Sequence, residues 1–293
     1  MVNGVIICYV AYGARVDIYQ QIYFSILSLL TFGHHSYNIR VVTDRPEYFK
    51  RLAKYISVTV LTESEITSWP GLHDYHFRIK LKALEKVVDS DPNSDVIFFD
   101  SDTFHYSAPD TIISQVKNGC AVFHCNEGPI SRNRYDPFWL QLKNKTFSGI
   151  TISKQTCMFN SGVIGLPASH ASDVLRKAII VCDQMCDELK EKGVVEQLAI
   201  SVTAAIELEC HFADKQVLHY WGNKEQWNRI IESYMKDAFL KDYSISDEIS
   251  ALANFNSIEI PIYTRKQMNN QRLKSWADRM FPRVKEKYFL PPL

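Results

Sequence analysis

The sequence predicts an α/β fold with a mainly parallel sheet flanked by helices. Residues Val5 to Val10 form a continuous apolar run rich in β-branched side chains, as in a strand buried on both faces. The segment from Ile18 to Phe32 then places apolar residues at helical spacing along one face. Strand and helix signals keep alternating up to Phe99, which is typical of βαβ units and a parallel sheet.

Each further element is predicted from the spacing at which apolar residues recur and from the turn residues that flank it. In the first half we expect strands over Ile39–Thr43, Ile56–Leu61 and Val96–Phe99, and helices over Pro46–Lys54 and Phe77–Val88. The second half is less regular, with strands expected over Ala121–His124, Ser161–Leu166 and Gln216–His219, and helices over His170–Lys190 and Val195–Ile206.

The composition argues against several classes of protein. Lys plus Arg and Asp plus Glu each number 33, so the chain lacks the basic excess of a general nucleic-acid binder. The seven cysteines include no CxxC pair, which favours free thiols in a reducing compartment over a zinc site or a disulfide framework. No positively charged leader and no uncharged run of about 18 apolar residues occurs, so we expect a cytoplasmic protein.

The last stretch differs in character from the rest. Between residues 265 and 287 eight basic residues stand against two acidic ones, with aromatic residues interleaved through residue 289. This pattern fits a basic amphipathic helix on an anionic membrane surface, which would make the protein peripheral to the membrane. The alternative is a helix that packs on the body of the protein and exposes its basic face. We expect residues 231–293 to form a helical segment after a main domain over residues 1–230.

The most informative stretch is Phe98-Phe99-Asp100-Ser101-Asp102, in which two carboxylates follow an apolar strand. Ligands of open parallel sheets bind outside the carboxyl ends of the strands. Two carboxylates at a buried strand end are costly unless a cation neutralises them. A divalent cation there would also bind phosphate oxygens and stabilise a departing diphosphate. A solvated turn is the alternative interpretation of Asp-x-Asp alone.

This stretch resembles the DXD motif of GT-A glycosyltransferases, and other motifs resemble glycosyltransferase family 8, the lipopolysaccharide galactosyl- and glucosyltransferase type. Phe159-Asn160-Ser161-Gly162-Val163 is similar to the family's FN(A/S)GV element, and Glu196-Gln197 to its acidic-Gln pair. His219-Tyr220-Trp221-Gly222 is similar to its HxxG element, and Trp227 to its final tryptophan. The motifs occur in the family order over residues 5 to 228.

The resemblance implies a GT-A (Rossmann-like) fold and a nucleotide-sugar-dependent hexosyltransferase that retains the anomeric configuration. The resemblance also implies a UDP-sugar donor and a glycan or lipid-linked acceptor. The metal ligands would be Asp100, Asp102 and His219, and a ligand set that includes an imidazole suits Mn²⁺ better than Mg²⁺. Asn160, Glu196 and Gln197 would be the catalytic residues. The donor would contact residues from five separate segments: Ala11, Tyr12, Arg78, Asp100, Ser101, Gly162, Gly222 and Lys224.

The chain departs from the family pattern after Gly222. The family places a phosphate-binding lysine three residues after this glycine, whereas here Glu225 stands there and Lys224 comes one position early. Two other functions therefore stay open. One is a non-catalytic module that binds a sugar nucleotide or a glycan. The other is a sugar-nucleotide pyrophosphorylase, although the turn after the first strand contains only one glycine, Gly13, where that class needs a glycine-rich phosphate loop.

Overall fold

The structure is a computed structural model that describes residues 4–33, 37–132, 136–257, 259–263 and 265–281. Its strands in the first half are β1 (Val5–Ala11), β2 (Asn38–Thr43), β3 (Ile56–Val60), β4 (Asp95–Phe99), β5 (Thr103–His105), β6 (Ala121–Phe123) and β7 (Asn126–Pro129). The later strands are β8 (Thr146–Phe147), β9 (Ile150–Thr151), β10 (Cys157–Phe159), β11 (Val163–Leu166), β12 (Cys210–Phe212) and β13 (Val217–His219).

The helices follow the same chain order. They are α1 (Val16–Leu30), α2 (Glu63–Ser68), α3 (Arg78–Ser90), α4 (Asp110–Lys117), α5 (Asp136–Leu142), α6 (Ala168–Glu188), α7 (Val195–Glu207), α8 (Lys224–Leu240), α9 (Ile245–Ala253) and α10 (Arg265–Met280). Residues Pro46–Leu52 and Gly71–His73 form short 3₁₀ helices. None of these helices combines the length and the apolar character needed to cross a bilayer.

The central sheet confirms the predicted fold class. Its strand order is β12-β6-β11-β4-β1-β2-β3. The pairs β1–β2, β1–β4, β2–β3 and β6–β12 are parallel, and β11 runs antiparallel to both β4 and β6. The predicted strands and helices of the first half are all present with shifts of a few residues at their ends. The Pro46 segment is a 3₁₀ helix, which a proline at its first position permits as readily as an α-helix.

Two apolar layers cover the two faces of the sheet. Side chains of β1 alternate between them: Ile6 and Cys8 pack with α3, α6 and α7, whereas Ile7 and Tyr9 pack with α1 and α4. This alternation follows from the two-residue period of a strand. Because both faces of the sheet are covered, polar side chains can reach water at the ends of the strands. The candidate site lies at the carboxyl end of β4.

Several elements are absent from the sequence prediction. They include β5, β7, β8, β9, β10 and β12. These strands are two to four residues long, which is too short to show the alternation of apolar and polar residues that predicts a strand. Helix α8 begins at Lys224 and continues past residue 230, the predicted boundary of the main domain. That boundary stays a prediction.

One buried polar network joins β1, α1 and β5. The phenol of Tyr9 lies 3.0 Å from His105 Nε2 and 3.2 Å from Ser25 Oγ, and Ser25 Oγ lies 2.9 Å from Thr103 Oγ1. Ser28 Oγ accepts a hydrogen bond from the His105 backbone N–H. Burial lowers the pKa of His105 to about 3. The fold therefore holds this imidazole in its neutral form.

We expect this histidine to make stability depend on pH. Its pKa in the unfolded chain is about 6.5, so between pH 6.5 and 3 the unfolded chain binds a proton that the folded chain does not. Above pH 6.5 this group does not reduce the free energy of unfolding. As the pH falls below 6.5, it lowers the free energy of unfolding by up to about 1.4 kcal/mol per pH unit. His105→Gln should flatten the decline of the unfolding free energy between pH 6 and 4, measured by urea unfolding.

The matched control is Ser28→Ala, which perturbs the same network without removing a titratable group. It should lower the unfolding free energy by a similar amount at every pH. A pH slope that is the same in wild type and His105→Gln would contradict the assignment.

Candidate metal and nucleotide-sugar site

The turn after β4 is held in place by three neighbouring elements. The Asp100 backbone N–H donates to the Gly162 carbonyl (2.9 Å), and Thr103 Oγ1 donates to the Asp100 carbonyl (2.8 Å). The Asp102 carbonyl accepts from the Tyr220 N–H (3.0 Å). The turn that carries both aspartates is thus fixed before any ligand binds.

The three predicted metal ligands come together at this turn. Strand β13 pairs with β5 in the register that sets His219 opposite Thr103, and this places the imidazole beside the aspartates. His219 Nε2 lies 3.4 Å from Asp102 Oδ1 and 3.9 Å from Asp100 Oδ2. One ligand atom from each residue lies within 4.8 Å of the other two. Asp102 and His219 are buried and Asp100 is half-buried.

The side chain of Asn160 determines which nitrogen of His219 faces the aspartates. Asn160 Oδ1 accepts from the Gly162 backbone N–H (3.0 Å), and its Nδ2 donates to Glu127 (3.0 Å), so the orientation of the amide is fixed by its partners. His219 Nδ1 lies 2.9 Å from the same Oδ1 and must be the donor, because that oxygen can only accept. In the neutral ring the lone pair is therefore on Nε2, the nitrogen that faces the two carboxylates.

This arrangement fits a divalent cation. A lone pair and two carboxylates meet at one point, where they repel one another unless a positive charge lies between them. A metal-bound histidine commonly donates its other N–H to a neighbouring acceptor, as His219 does to Asn160. Asp100, Asp102 and His219 would hold the cation, in agreement with the sequence prediction, and Asn160 would orient the imidazole.

Gly162 is required by the close approach of this imidazole. A Cβ atom at position 162 would lie 2.2 Å from His219 Nδ1, a distance at which one of the two groups must move. The backbone of β11 can therefore pass the ring only as glycine. Gly162 was predicted to contact the donor, and in the structure its immediate neighbour is His219, a candidate metal ligand.

Lys224 reaches the cluster in spite of its shifted position in the sequence. Its Nζ lies 2.9 Å from Asp102 Oδ2, at the first residue of α8. Burial by itself would raise the pKa of Asp102, but the neighbouring His219 imidazole and Lys224 ammonium outweigh burial and hold that pKa well below its usual range. Conversely, burial would lower the pKa of Lys224, and Asp102 raises it.

A second lysine, which the sequence analysis did not select, lies behind Asp100. Lys80 Nζ is 3.0 Å from Glu196 Oε1, 2.9 Å from Ser161 Oγ and 3.6 Å from Asp100 Oδ2. Burial lowers the pKa of Lys80, and the two carboxylates raise it by more. The pKa of Glu196 is raised, because burial and Asp100 outweigh the opposing charge of Lys80. Glu196 is therefore one half of a buried ion pair.

A cavity of about 490 Å³ opens over the cluster. The predicted residues that line it are Asp100, Asp102, Asn160, Gln197, His219 and Lys224. The other lining residues are Phe77, Glu127, Phe138, Gly193, Val194 and Trp221. Glu127 accepts from both Asn160 Nδ2 and Gln197 Nε2 (3.0 and 3.1 Å), and no sequence motif marked it. The cavity lining thus combines acidic and polar side chains with the aromatic rings of Phe77, Phe138 and Trp221.

The remaining predicted residues have other neighbours in the structure. Arg78 donates Nε and Nη2 to the Asp183 carboxylate and Nη1 to the Trp69 carbonyl. Ser101 donates to Gln21 Oε1, which ties the turn to α1. Gly222 packs under Tyr263, whose ring a Cβ at position 222 would overlap. A role for these three residues in donor binding stays a prediction.

The first turn also has an internal structure. Tyr12 donates its phenol hydrogen to the His76 carbonyl (3.1 Å), and burial raises its pKa to about 12. Ala11 is buried at the end of β1. Gly13 has a positive φ of 89°, and Asp44 accepts from its N–H (3.1 Å). A role for Ala11 and Tyr12 in donor binding stays a prediction.

The comparisons with known proteins find similarity to solved structures but not to family models or curated sequences. No family model matches the sequence, and no curated protein matches it. A solved structure does match: an active-site mutant of LgtC, a family 8 glycosyltransferase with the GT-A fold, in which a glutamine is replaced by glutamate. The match has a TM-score of 0.47 at 12% identity and covers 71% of this chain and 72% of that chain. The likeness is one of chain path, so the function of this chain has to be argued from its own side chains.

Gly162→Ala should displace His219 and weaken metal binding by at least tenfold, because the added Cβ overlaps the imidazole. Isothermal titration of the purified protein with Mn²⁺ measures this. Gly165→Ala, in β11, is the matched control: its Cβ would lie 2.7 Å from a methyl group of Val116 in α4, so it also overpacks the core. Both variants should lose about 1–3 kcal/mol of stability. Equal Mn²⁺ affinities in the two variants would rule out the proposed role of Gly162.

Lys80→Met should destabilise the fold by about 3–5 kcal/mol, because it leaves Glu196 buried without its counter-charge. Adding Glu196→Gln should restore much of the loss, since the double variant has no uncompensated carboxylate at that position. Urea unfolding of the wild type, both single variants and the double variant gives the coupling energy. A coupling energy near zero would mean that the two groups do not depend on each other.

Proposed function

We propose that this chain is a metal-dependent glycosyltransferase that moves a hexose from a UDP-sugar to a glycan or glycolipid acceptor. The observation that carries the proposal is the convergence of Asp100, Asp102 and the Nε2 lone pair of His219 at the floor of a cavity that Lys224 also lines. Carboxylates and an imidazole favour Mn²⁺ as the cation, with Mg²⁺ as the alternative. When bound, the cation supplies positive charge next to the diphosphate of the donor.

Lys224 has the position and the chemistry to bind that diphosphate. Its ammonium pairs with Asp102 and its side chain is half-exposed to the cavity. Once Asp102 is neutralised by a cation, the ammonium is free to turn to a phosphate oxygen and to stabilise the negative charge that develops as UDP leaves. The lysine thus performs the role that the family pattern assigns to a residue one position later.

Gln197 and Asn160 also line the cavity and are suited to orient a sugar. Gln197 Oε1 lies 3.3 Å from the Ser161 N–H, and its Nε2 donates to Glu127. These side chains are held by neighbours before a ligand arrives, which reduces the entropy lost on binding. Glu196 lies behind them in its ion pair with Lys80. We therefore assign Gln197 the direct contact with the reacting sugar and Glu196 an indirect role through Lys80.

Retention of configuration is proposed from the position of these groups. The acceptor hydroxyl would attack from the side on which UDP departs, so that the leaving diphosphate can accept the proton. The described residues place no carboxylate other than Glu127, Asp100 and Asp102 on the cavity lining, and the last two are committed to the cation. Analysis of the anomeric configuration of the product tests this point.

The basic C-terminal segment fits a role at a membrane that presents a lipid-linked acceptor. In α10, Leu273, Trp276 and Met280 are exposed and follow one another at helical spacing, with Arg272, Lys274 and Arg279 beside them. Residues 282–289 of the predicted membrane-binding segment lie outside the described residues. We propose a cytoplasmic protein that is peripheral to the membrane through residues 265–289.

Binding of the donor nucleotide should be measurable by thermal unfolding with and without Mn²⁺. A ligand at about 100 times its Kd adds about 2.7 kcal/mol of stability, which raises the midpoint by a few degrees. We expect UDP with Mn²⁺ to give this shift and Asp102→Ala to abolish it. Asp89→Ala, at a surface ion pair with Arg176, is the matched control and should keep it.

A transfer assay then separates the proposed enzyme from its alternatives. Release of UDP from a UDP-sugar that depends on Mn²⁺ and is lost in Asp102→Ala supports the glycosyltransferase. Nucleotide binding without turnover of any UDP-sugar would favour a non-catalytic module, and formation of UDP-sugar from UTP and a sugar phosphate would favour a pyrophosphorylase. If no nucleotide shifts the midpoint, the proposed function is wrong.

A further inference from the structure

A second group of possible metal ligands lies at the far edge of the central sheet, away from the cavity. Strand β12 is an edge strand, and within the described part of the chain it pairs with β6 alone, over three residues. Cys120 comes immediately before β6, and Glu209 comes immediately before β12. His211 is the middle residue of β12. These residues take no part in the site described above.

The strand register places their three side chains on one face. The parallel pairing sets Cys210 opposite Ala121 and His211 opposite Val122, and the Ala121 N–H donates to the Glu209 carbonyl (2.8 Å). Cys120 is therefore opposite Glu209. Because side chains alternate along a strand, Glu209 and His211 share a face, and Cys210 points to the other. The backbone, and not the choice of rotamer, brings the three groups together.

The distances suit a tetrahedral cation. His211 Nε2 lies 3.2 Å from Glu209 Oε1, and the Cys120 Sγ, the carboxylate oxygen and the imidazole nitrogen all lie within 4.8 Å of one another. Two ligands bound to zinc at about 2.0–2.1 Å in tetrahedral geometry are separated by roughly 3.3 Å. The His211 side chain is 35% exposed and that of Glu209 is 76% exposed, so an ion can enter from solution.

We propose that Cys120, Glu209 and His211 bind a zinc-type divalent cation at the sheet edge. The thiolate ligand selects zinc over Mn²⁺ and Mg²⁺, and the first site has no thiolate, so the two sites of this chain would take different metals. On binding, the Cys120 thiol gives its proton to solvent and its sulfur lone pair to the metal. Water takes the fourth position, as in zinc sites with three protein ligands.

The cation would fasten the edge strand to the sheet. Three residues of parallel pairing hold β12 weakly, and an unpaired edge is open to association with other chains. The segment after β12 leads directly to β13 and His219, so a clamp on β12 would also hold the chain that enters the first site. The proposal does not depend on the enzymatic function.

Titration of the full-length reduced protein with Co²⁺ tests the site, because a cysteine ligand gives Co²⁺ an intense thiolate-to-metal absorption band in the near ultraviolet. We expect one equivalent of this band in the wild type, bleaching by Zn²⁺ and no bleaching by Mn²⁺. Cys120→Ser should lose the band, and His211→Ala should weaken binding at least tenfold. Asp102→Ala should keep it, since the first site contains no thiol.

Cys210→Ser is the matched control, because it removes a thiol next to His211 but on the opposite face of β12. It should retain the band and its affinity. The proposal is overturned if the wild type has no band, if the band survives in Cys120→Ser, or if Cys210→Ser loses it as fully as Cys120→Ser does. The circular dichroism of each variant, recorded before the titration, confirms that any loss comes from a folded protein.

Discussion

Two carboxylates leave the buried end of β4, and the rest of the site is arranged around the need to neutralise them. Asp102 is almost fully buried, and an isolated charge there would be costly. His219, Lys224 and Lys80 come from three separate elements and approach the aspartates from different sides. The two ammonium groups and the cation that the ligand set fits supply positive charge, and the imidazole supplies a further ligand, so the acidic turn is compatible with its buried position.

The antiparallel strand β11 is what gives this turn its surroundings. Because β11 runs against β4, its first residues lie beside the end of β4, and the Gly162 carbonyl accepts from Asp100. The same short segment supplies Asn160, which orients the imidazole, and Gly162, which leaves room for it. If β11 ran parallel to β4, the carboxyl end of β11 would lie beside the carboxyl end of β4. The Asn-Ser-Gly segment, which precedes β11, would then lie at the opposite end of the strands.

The predictions from sequence succeeded where an apolar pattern extends over many residues or where a motif directly follows a clearly apolar strand. The helical period from Ile18 and the apolar strand before Asp100 are of this kind, and both elements are present. The cluster of Asp100, Asp102 and His219 was predicted from a resemblance and comes together in the structure. Lys80 and Glu127 were not selected, because a lysine on a helix and a glutamate in a two-stranded ribbon look like ordinary surface residues in the sequence.

By itself, the sequence determined the alternation of strands and helices, the acidic end of β4 and the chemistry of the three ligands, because these depend on residues that are close along the chain. Only the tertiary structure decided which side chains meet. The tautomer of His219 depends on Asn160, 59 residues away, and the state of Glu196 depends on Lys80, 116 residues away. The partner of Arg78, Asp183, is 105 residues away and could not be foreseen from the sequence, and a donor contact of Arg78 stays a prediction. Such pairings are set by strand order and helix packing, which no local pattern encodes.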